Sequence, residues 1–312
     1  MTIRIVFMGT PEFSVPALRA LAKVFTVAGV VTQPDMPVGR GKVMTPSAVK
    51  TAALELQIPL IQPKTLREPE AQTQLAAWQA DVFVVTAYGQ ILRRNVLELP
   101  PHGCVNIHAS FLPRWRGAAP IQAAIYHGDT HSGVSIMQMD AGIDTGPVYL
   151  REKLPILRDD TGESLSRRLS ELGAAMIVKT LPAICSGELK AVPQEETGAT
   201  YAGMLCKEDG LLDFRRTALE LAHQVRAYYP WPGTFFYWNG QPVKVISAFA
   251  HRDALAETGK AAIFEGKPAL GTGEGMLVID VLQMPGKKAV AGDVFLRGAR
   301  SWGQGLIEGK KD

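Results

Sequence analysis

Short apolar runs alternate with stretches of helical spacing through the first 186 residues. The runs at 3–8, 27–31 and 81–87 predict strands, and the third is nearly all apolar, as expected for a strand covered on both faces of a parallel sheet. The predicted helices cover residues 16–21, 48–57, 70–79, 120–127 and 164–186. Strands that alternate with helices predict an α/β fold with a doubly wound, mostly parallel sheet.

The pattern changes beyond residue 187. Residues 188–207 are polar, with Gly, Pro and Thr, and indicate a linker. After a predicted helix at 217–228, the sequence predicts a hairpin around Asn239-Gly240. Further short strands are predicted at 261–264, 269–270, 277–281 and 287–288. With 312 residues, the chain is long for one core. We therefore predict a domain at 1–187 and a small β-barrel domain at 208–312.

The stretch from Cys104 to Pro120, CVNIHASFLPRWRGAAP, contains the first candidate chemistry. Side chains alternate along a strand, so Asn106 and His108 share one face, roughly 7 Å apart. An amide can donate to an oxygen that gains negative charge, and an imidazole can move a proton near neutral pH. This pair suits chemistry on a carbonyl group, although a single His at a strand end is commonly structural.

Two aspartates, Asp140 and Asp144, lie in a Gly-rich loop after the strand predicted at 134–139. Such a loop could bind a metal ion or form a solvated turn. Two carboxylates without further clustered ligands make a poor metal site, so no metal is expected. The turn after the first strand reads Gly9-Thr10-Pro11-Glu12-Phe13-Ser14. It lacks the G-x-G-x-x-G pattern, which argues against an NAD-dependent enzyme.

The Asn-x-His strand, the loop Ser110-Phe111-Leu112-Pro113 and the later Asp144 together resemble the formyltransferase family that uses 10-formyltetrahydrofolate. The resemblance extends through almost the whole chain. It departs from the S-L-L-P-like loop of the family at Phe111. The resemblance implies a Rossmann-like formyltransferase domain followed by an OB-like β-barrel.

This resemblance also implies the site. Asn106, His108 and Asp144 would be catalytic, with no metal. Six residues would bind the formyl donor 10-formyltetrahydrofolate: Ser110, Phe111, Leu112, Pro113, Ile91 and Leu92. Asn106 would hydrogen-bond the oxyanion, His108 would stabilise it or move the proton, and Asp144 would hold His108.

Within the family, the resemblance is strongest to members that formylate the methionine of initiator methionyl-tRNA for translation initiation. The exposed loop predicted at 32–50 contains prolines, glycines and three basic residues, and a loop of this length is commonly functional. By resemblance, its Arg40 and Lys42 would contact tRNA. The C-terminal domain offers Lys207 and Lys244 as candidates for a basic surface.

Charge and cysteine content set weaker bounds. Residues 1–187 carry 18 basic and 15 acidic side chains, and the remainder carries 15 of each, so contact with nucleic acid would depend on local patches. Three scattered cysteines and no apolar run of membrane length favour a cytoplasmic protein, which we expect to be monomeric. Formylation of a nucleotide-linked amino sugar, release of formate and a non-catalytic RNA-binding role stay as alternatives.

Overall fold

The computed structural model describes residues 2–38, 41, 43–253 and 256–310. The chain forms two compact units. The first unit comprises Met1–Gly117, Ser132–Pro155 and Ser166–Tyr201, and the second comprises Ala118–His131, Ile156–Leu165 and Ala202–Asp312. Neither unit is continuous in sequence, and the division at 187 and 208 expected above stays a prediction.

The helices follow the predicted order. In the described residues they are α1 (Val15–Val24), α2 (Ala48–Glu55), α3 (Pro69–Ala77), α4 (Arg94–Leu97), α5 (Pro120–Tyr126), α6 (Gly162–Cys185), α7 (Ala218–Ala227) and α8 (Gly292–Gly298). Local sequence sets several of their ends. Ser47 caps α2 and accepts a hydrogen bond from the backbone N–H of Lys50, an interaction typically worth about 1 kcal/mol. Pro16 and Pro69 stand in the first turns of α1 and α3, where a missing N–H costs nothing.

A seven-stranded sheet is the centre of the first unit. The strands as far as residue 155 are β1 (Arg4–Gly9), β2 (Thr26–Val31), β3 (Met36–Val38), β4 (Val43–Thr45), β5 (Leu60–Ile61), β6 (Val82–Thr86), β7 (Cys104–His108), β8 (Arg116–Gly117), β9 (His131–Gln138) and β10 (Val148–Pro155). The sheet has the order β10-β9-β7-β6-β1-β2-β5. The pairs among β5, β2, β1, β6 and β7 are parallel, and β9 is antiparallel to β7. The predicted mostly parallel α/β sheet is confirmed.

Burial explains why β6 and β7 are central. All five residues of each strand are buried, as an interior position in a sheet covered on both faces requires. Helix α6 is joined to the loop after β1 by a hydrogen bond from Ser170 Oγ to the backbone oxygen of Phe13. Its apolar positions Leu165, Leu169 and Ile177 are fully buried, so the predicted helical spacing marks the face that packs on the core.

The prediction of a loop at 32–50 is wrong in one respect. Residues 36–37 and 43–46 are exposed, as expected, but β3 and β4 pair there as an antiparallel hairpin with Met36 opposite Thr45. Neither three-residue strand has an apolar period, which is why the pattern did not reveal them. Arg40 and Lys42 lie outside the described residues.

The second unit contains a curled antiparallel sheet. Its strands are β12 (Thr234–Trp238), β13 (Gln241–His251), β14 (Ala261–Phe264), β15 (Lys267–Gly271), β16 (Met276–Gln283), β17 (Val290–Ala291) and β18 (Ile307–Glu308). A further short strand, β11 (Tyr201–Ala202), pairs with β8 and is not part of this sheet. The order is β14-β15-β16-β13-β12-β18, and β17 pairs with β16. This arrangement is consistent with the predicted small barrel, and the β12–β13 hairpin with its Asn239-Gly240 turn is confirmed.

Two details of the second unit differ from the prediction. Residues 287–288 are not in a strand, because the two lysines follow a glycine and are exposed. The short strand lies just after them, at β17. Helix α8 was not predicted. Its Phe295 packs edge to face against Trp302 in a buried aromatic cluster that also contains Phe236 and Trp238.

Candidate active site

The site begins on β7, between β6 and β9. Asn106 is opposite Val85 of β6 and Met137 of β9, so these three side chains share one face of the sheet. Asn106 and His108 are only 8% and 6% exposed, because the loops at 110–117 and 140–147 cover the end of the strand.

Asp144 contacts both side chains of the pair. Its Oδ1 accepts a long hydrogen bond of 3.4 Å from Asn106 Nδ2, and its Oδ2 lies 3.6 Å from His108 Nδ1. The three residues predicted to be catalytic are therefore brought together, although 38 positions in the sequence separate Asn106 from Asp144. An amide donor, an imidazole and a carboxylate now share one small volume.

The other nitrogen of His108 has a fixed partner. Nε2 lies 2.9 Å from the backbone oxygen of Trp115. A carbonyl oxygen can only accept, so Nε2 carries a hydrogen and donates it. This leaves Nδ1, which faces the Asp144 carboxylate, as the nitrogen that can take up or release a proton. A proton on Nδ1 would be stabilised by that carboxylate.

The loop that carries Asp144 is tightly constrained. Asp144 has a left-handed backbone, with φ of +54°, which a non-glycine residue adopts only with support from its surroundings. The carboxylate of Asp140 accepts hydrogen bonds from the Gly142 N–H at 3.0 Å and the Thr145 hydroxyl at 2.9 Å. A Cβ on Gly146 would lie 1.9 Å from the backbone oxygen of Gln138, so only glycine fits there. Asp140 thus shapes the turn, which agrees with the solvated-turn alternative for that residue.

Sequence reasoning missed Gln194 and Arg116. Gln194 lies in the segment predicted as a linker, yet its side chain donates to the backbone oxygen of Asp144 at 2.8 Å. Arg116 is completely buried and donates to Gln194 Oε1 at 3.2 Å. The only signal in the sequence was the pair of arginines at 114 and 116 in the stretch after β7, and nothing marked Gln194.

A cleft of about 180 Å³ opens beside Asp144. Ile91 and Leu92, in the loop after β6, line one side, and they are two of the residues predicted to bind the folate. The full lining is Gln90, Ile91, Leu92, Met137, Met139, Asp140, Ala141, Gly142, Ile143 and Asp144. Ile91 is 79% exposed at the mouth, whereas Leu92 is buried. The loop after β6 lies at the carboxyl end of a parallel strand, the usual position of ligand sites in this fold class.

The other predicted folate residues, Ser110, Phe111, Leu112 and Pro113, are not among the lining of this cleft. Leu112 is fully buried against Met137 and Val148. Ser110 Oγ donates to the backbone oxygen of Arg114 at 2.6 Å, and the loop is joined to β9 by a 3.1 Å hydrogen bond from the Leu112 N–H to Ser135 Oγ. These two hydrogen bonds hold the loop that follows His108 in place against β9.

The candidate tRNA contacts that the structure describes are both in the second unit. Lys207 lies in a short 3-10 turn and Lys244 on β13, and both are exposed. Within the described ranges, no three His, Cys, Asp or Glu side chains cluster so that they could hold a metal ion. No helix in the described part of the chain is both long and apolar enough to cross a membrane.

Comparison with known proteins identifies the chain. A family model described as "Formyl transferase" matches residues 3–181, and one described as "Formyl transferase, C-terminal domain" matches residues 204–300. Methionyl-tRNA formyltransferase of Myxococcus xanthus is 48% identical over 295 residues, which cover 95% of each chain. That of Stutzerimonas stutzeri is 45% identical over 315 residues, which cover 99% of each.

A solved structure agrees in fold. The N-formyltransferase of Helicobacter canadensis, in complex with folinic acid and dTDP-3-aminofucose, matches with a TM-score of 0.67 and 20% identity, over 89% of this chain and 98% of that one. The two family models and the full-length relatives agree with the α/β sheet followed by the curled second sheet. The chain therefore belongs to the formyl transferase family, among the methionyl-tRNA formyltransferases.

Proposed function

We propose that Asn106, His108 and Asp144 carry out the formyl transfer that this enzyme performs. The reaction moves a formyl group from 10-formyltetrahydrofolate to the α-amino group of methionine on initiator tRNA. The observation that supports these roles is the position of the Asp144 carboxylate, which contacts Asn106 at 3.4 Å and His108 at 3.6 Å beside an open cleft.

The chemistry sets what the three residues must do. A free α-amine has a pKa of about 7.7–8.0, so a large fraction is already neutral and nucleophilic near neutral pH. Its attack on the formyl carbon gives a tetrahedral intermediate with a negative oxygen and a protonated nitrogen. Asn106 has a second N–H beyond the one that faces Asp144, and it donates to the oxyanion. His108 Nδ1 receives the proton from nitrogen, and Asp144 stabilises the resulting imidazolium. Collapse of the intermediate breaks the bond between the formyl carbon and N10 of the folate, and the proton held by His108 passes to N10, which leaves as tetrahydrofolate.

The cleft suits the folate donor. Ile91, Leu92, Met137 and Met139 give it apolar walls, and Asp144 forms its inner end. The Helicobacter canadensis neighbour was solved with folinic acid, a formylated folate, which supports a folate site in this fold. Ser110, Phe111, Leu112 and Pro113, in the loop that follows His108, stay in the proposal as folate-binding residues.

The tRNA contacts are proposed from the sequence and from exposure. Arg40 and Lys42, which lie outside the described residues, are proposed from the sequence alone, and Lys207 and Lys244 present exposed cations on the second unit. Basic side chains contact the phosphate backbone, which positions a nucleic acid without reading its sequence. We further propose that the protein is cytoplasmic and that it is a monomer. Sedimentation of the purified protein measures its oligomeric state directly.

Transfer to competing acceptors tests this function. The purified chain is incubated with 10-formyltetrahydrofolate and initiator methionyl-tRNA, and N-formylmethionine released from the tRNA is measured by mass spectrometry. A parallel reaction replaces the tRNA with a dTDP-linked amino sugar. We expect formylation of the methionyl-tRNA and none of the sugar. Formylation of the sugar alone, or formate release without transfer, would contradict the proposal, and tRNA binding without transfer would favour an RNA-binding module.

A further inference from the structure

Gln194 binds the loop that carries Asp144 through both hydrogens of its side-chain amide. Nε2 donates to the backbone oxygen of Asp144 at 2.8 Å and to that of Gly146 at 2.7 Å. An amide NH2 group has two donors, and each carbonyl takes one of them. The amide therefore joins the two ends of the turn from Asp144 to Gly146, immediately behind the carboxylate.

Arg116 sets the orientation of that amide. Its Nε donates to Gln194 Oε1 at 3.2 Å, and a guanidinium has donors only, so the amide oxygen must face the arginine and the NH2 group must face the loop. The buried guanidinium is held in turn by both carboxylate oxygens of Glu196, at 3.1 and 3.2 Å, and by the Tyr201 hydroxyl. A fixed fork of donors thus removes the rotational freedom of Gln194.

The same segment also holds the loop that orients His108. Thr200 Oγ1 accepts a 2.9 Å hydrogen bond from the backbone N–H of Trp115, and the Thr200 oxygen accepts one of 2.8 Å from Arg116 N–H. Trp115 has a left-handed backbone, with φ of +60°, and its own oxygen receives the His108 Nε2 hydrogen. Residues 194–200 therefore support both strained positions that face the imidazole, one at Asp144 and one at Trp115.

We propose that Gln194, oriented by Arg116, is a positioning residue that fixes the Asp144 carboxylate at its distance from His108 and Asn106. The inference rests on the catalytic roles proposed above. Within the part of the chain that the structure describes, the hydrogen bonds of the Gln194 side chain join it to two main-chain oxygens and to the arginine, so it acts through Asp144 and not on the reacting atoms. A displacement of about 1 Å in such a group can cost about 10²-fold in rate.

Gln194→Glu tests the proposal. The carboxylate keeps an acceptor for Arg116 but has no hydrogen for either carbonyl, so the turn loses its support while Arg116 keeps its ion pair with Glu196. We expect kcat to fall about 10- to 100-fold, with KM for folate and for tRNA within about twofold of the parent. Gln74→Glu makes the same change at an exposed position on α3 and should leave both constants unchanged.

A double variant separates positioning from general structural damage. In an Asp144→Ala background there is no carboxylate to place, so adding Gln194→Glu should slow kcat by less than about threefold more. The proposal would be overturned if the fold-loss in kcat of the double variant equalled the product of the two single-variant losses. A folded Gln194→Glu variant with the parental kcat would also overturn it. Gln194→Met, neutral and of similar length, gives the same test if the charged variant does not fold.

The two proposals fail in different ways. If Asp144→Ala itself retains the parental kcat, the catalytic role of Asp144 is wrong, and the positioning role falls with it. If Asp144→Ala is slow but Gln194→Glu and Gln194→Met are both as fast as the parent, only the positioning role of Gln194 is wrong.

Discussion

The backbone N–H of Gly117 donates a 2.8 Å hydrogen bond to Oδ2 of Asp144, the same oxygen that faces His108 Nδ1. This contact joins the loop after β7 to the loop after β9. Gly117 can make it because its φ of +107° points the N–H at the carboxylate, in a backbone region that glycine adopts without steric cost. A backbone donor does not titrate, so it holds the carboxylate whatever the protonation state of His108.

Gly117→Ala should therefore slow the reaction. A Cβ at φ of +107° is strained, and relief of that strain turns the N–H away from Asp144. We expect about 1–3 kcal/mol of lost stability and a kcat at least about 10-fold lower, with binding of folate little affected. Thermal unfolding and steady-state kinetics measure the two effects separately.

Gly187→Ala is the matched control for that variant. Gly187 also has a left-handed φ, of +77°, and a Cβ there would meet open space. The control should lose stability through the same backbone effect and keep its kcat. Equal kinetic losses in both variants would mean that strain alone, and not the contact with Asp144, explains the slow Gly117→Ala enzyme.

Arg40→Ala should weaken use of the tRNA and spare the folate. The loss of one phosphate contact is expected to raise KM for methionyl-tRNA several-fold at low salt and by less as salt rises, while KM for 10-formyltetrahydrofolate stays constant. Lys179→Ala, which removes an exposed cation from α6, is the control. An unchanged KM for tRNA at every salt concentration would remove this segment from the recognition of tRNA.

Glu220 gives a prediction for stability against pH. A hydrogen bond from Arg216, together with bonds from the start of α7, lowers the pKa of Glu220 to about 2. A carboxyl with a lowered folded pKa stabilises the protein fully above its unfolded value, near 4.5, and loses that contribution as pH falls towards about 2. Glu220→Gln keeps the helix cap but not the charge. Because the pair is partly exposed, its cost at pH 7 is at most about 1 kcal/mol.

Thermal unfolding of the parent and of Glu220→Gln between pH 7 and pH 3 measures this contribution. The difference in Tm should shrink steadily below pH 4.5. Glu171→Gln, at an exposed position of α6, should show little difference at any of these pH values. A difference for Glu220→Gln that stays constant or grows on acidification would show that the ion pair with Arg216 does not stabilise the fold.

The parts of the fold that sequence could predict are those where one local rule dominates. The apolar run of β6 and the spacing of Leu165, Leu169 and Ile177 in α6 mark buried faces, and Asn239-Gly240 marks a hairpin turn. The short strands β3 and β4 have no such rule, because three residues are too few to show a period. The strand predicted at 287–288 was misplaced for a similar reason.

The residues of the candidate site likewise differ in whether a local sequence pattern predicts them. Asn106 and His108 could be predicted from strand alternation, and Asp144 could be added only through resemblance, since no local pattern links it to β7. Gln194 could not be found, because its role depends on long-range contacts to main-chain oxygens that any polar segment could make. The nearly complete burial of Asn106 and His108 likewise follows from loops that the strand pattern does not describe.

The most direct measurement is the single-turnover rate of formyl transfer by Asn106→Ala, with saturating 10-formyltetrahydrofolate and methionyl-tRNA. Loss of one oxyanion donor should slow this step about 10²- to 10³-fold while the affinity for folate stays close to that of the parent. Asn95→Ala, at an exposed position of α4, should react at the parental rate. A parental rate for Asn106→Ala, or a loss that appears only as weaker folate binding, would contradict the role of this cluster in catalysis.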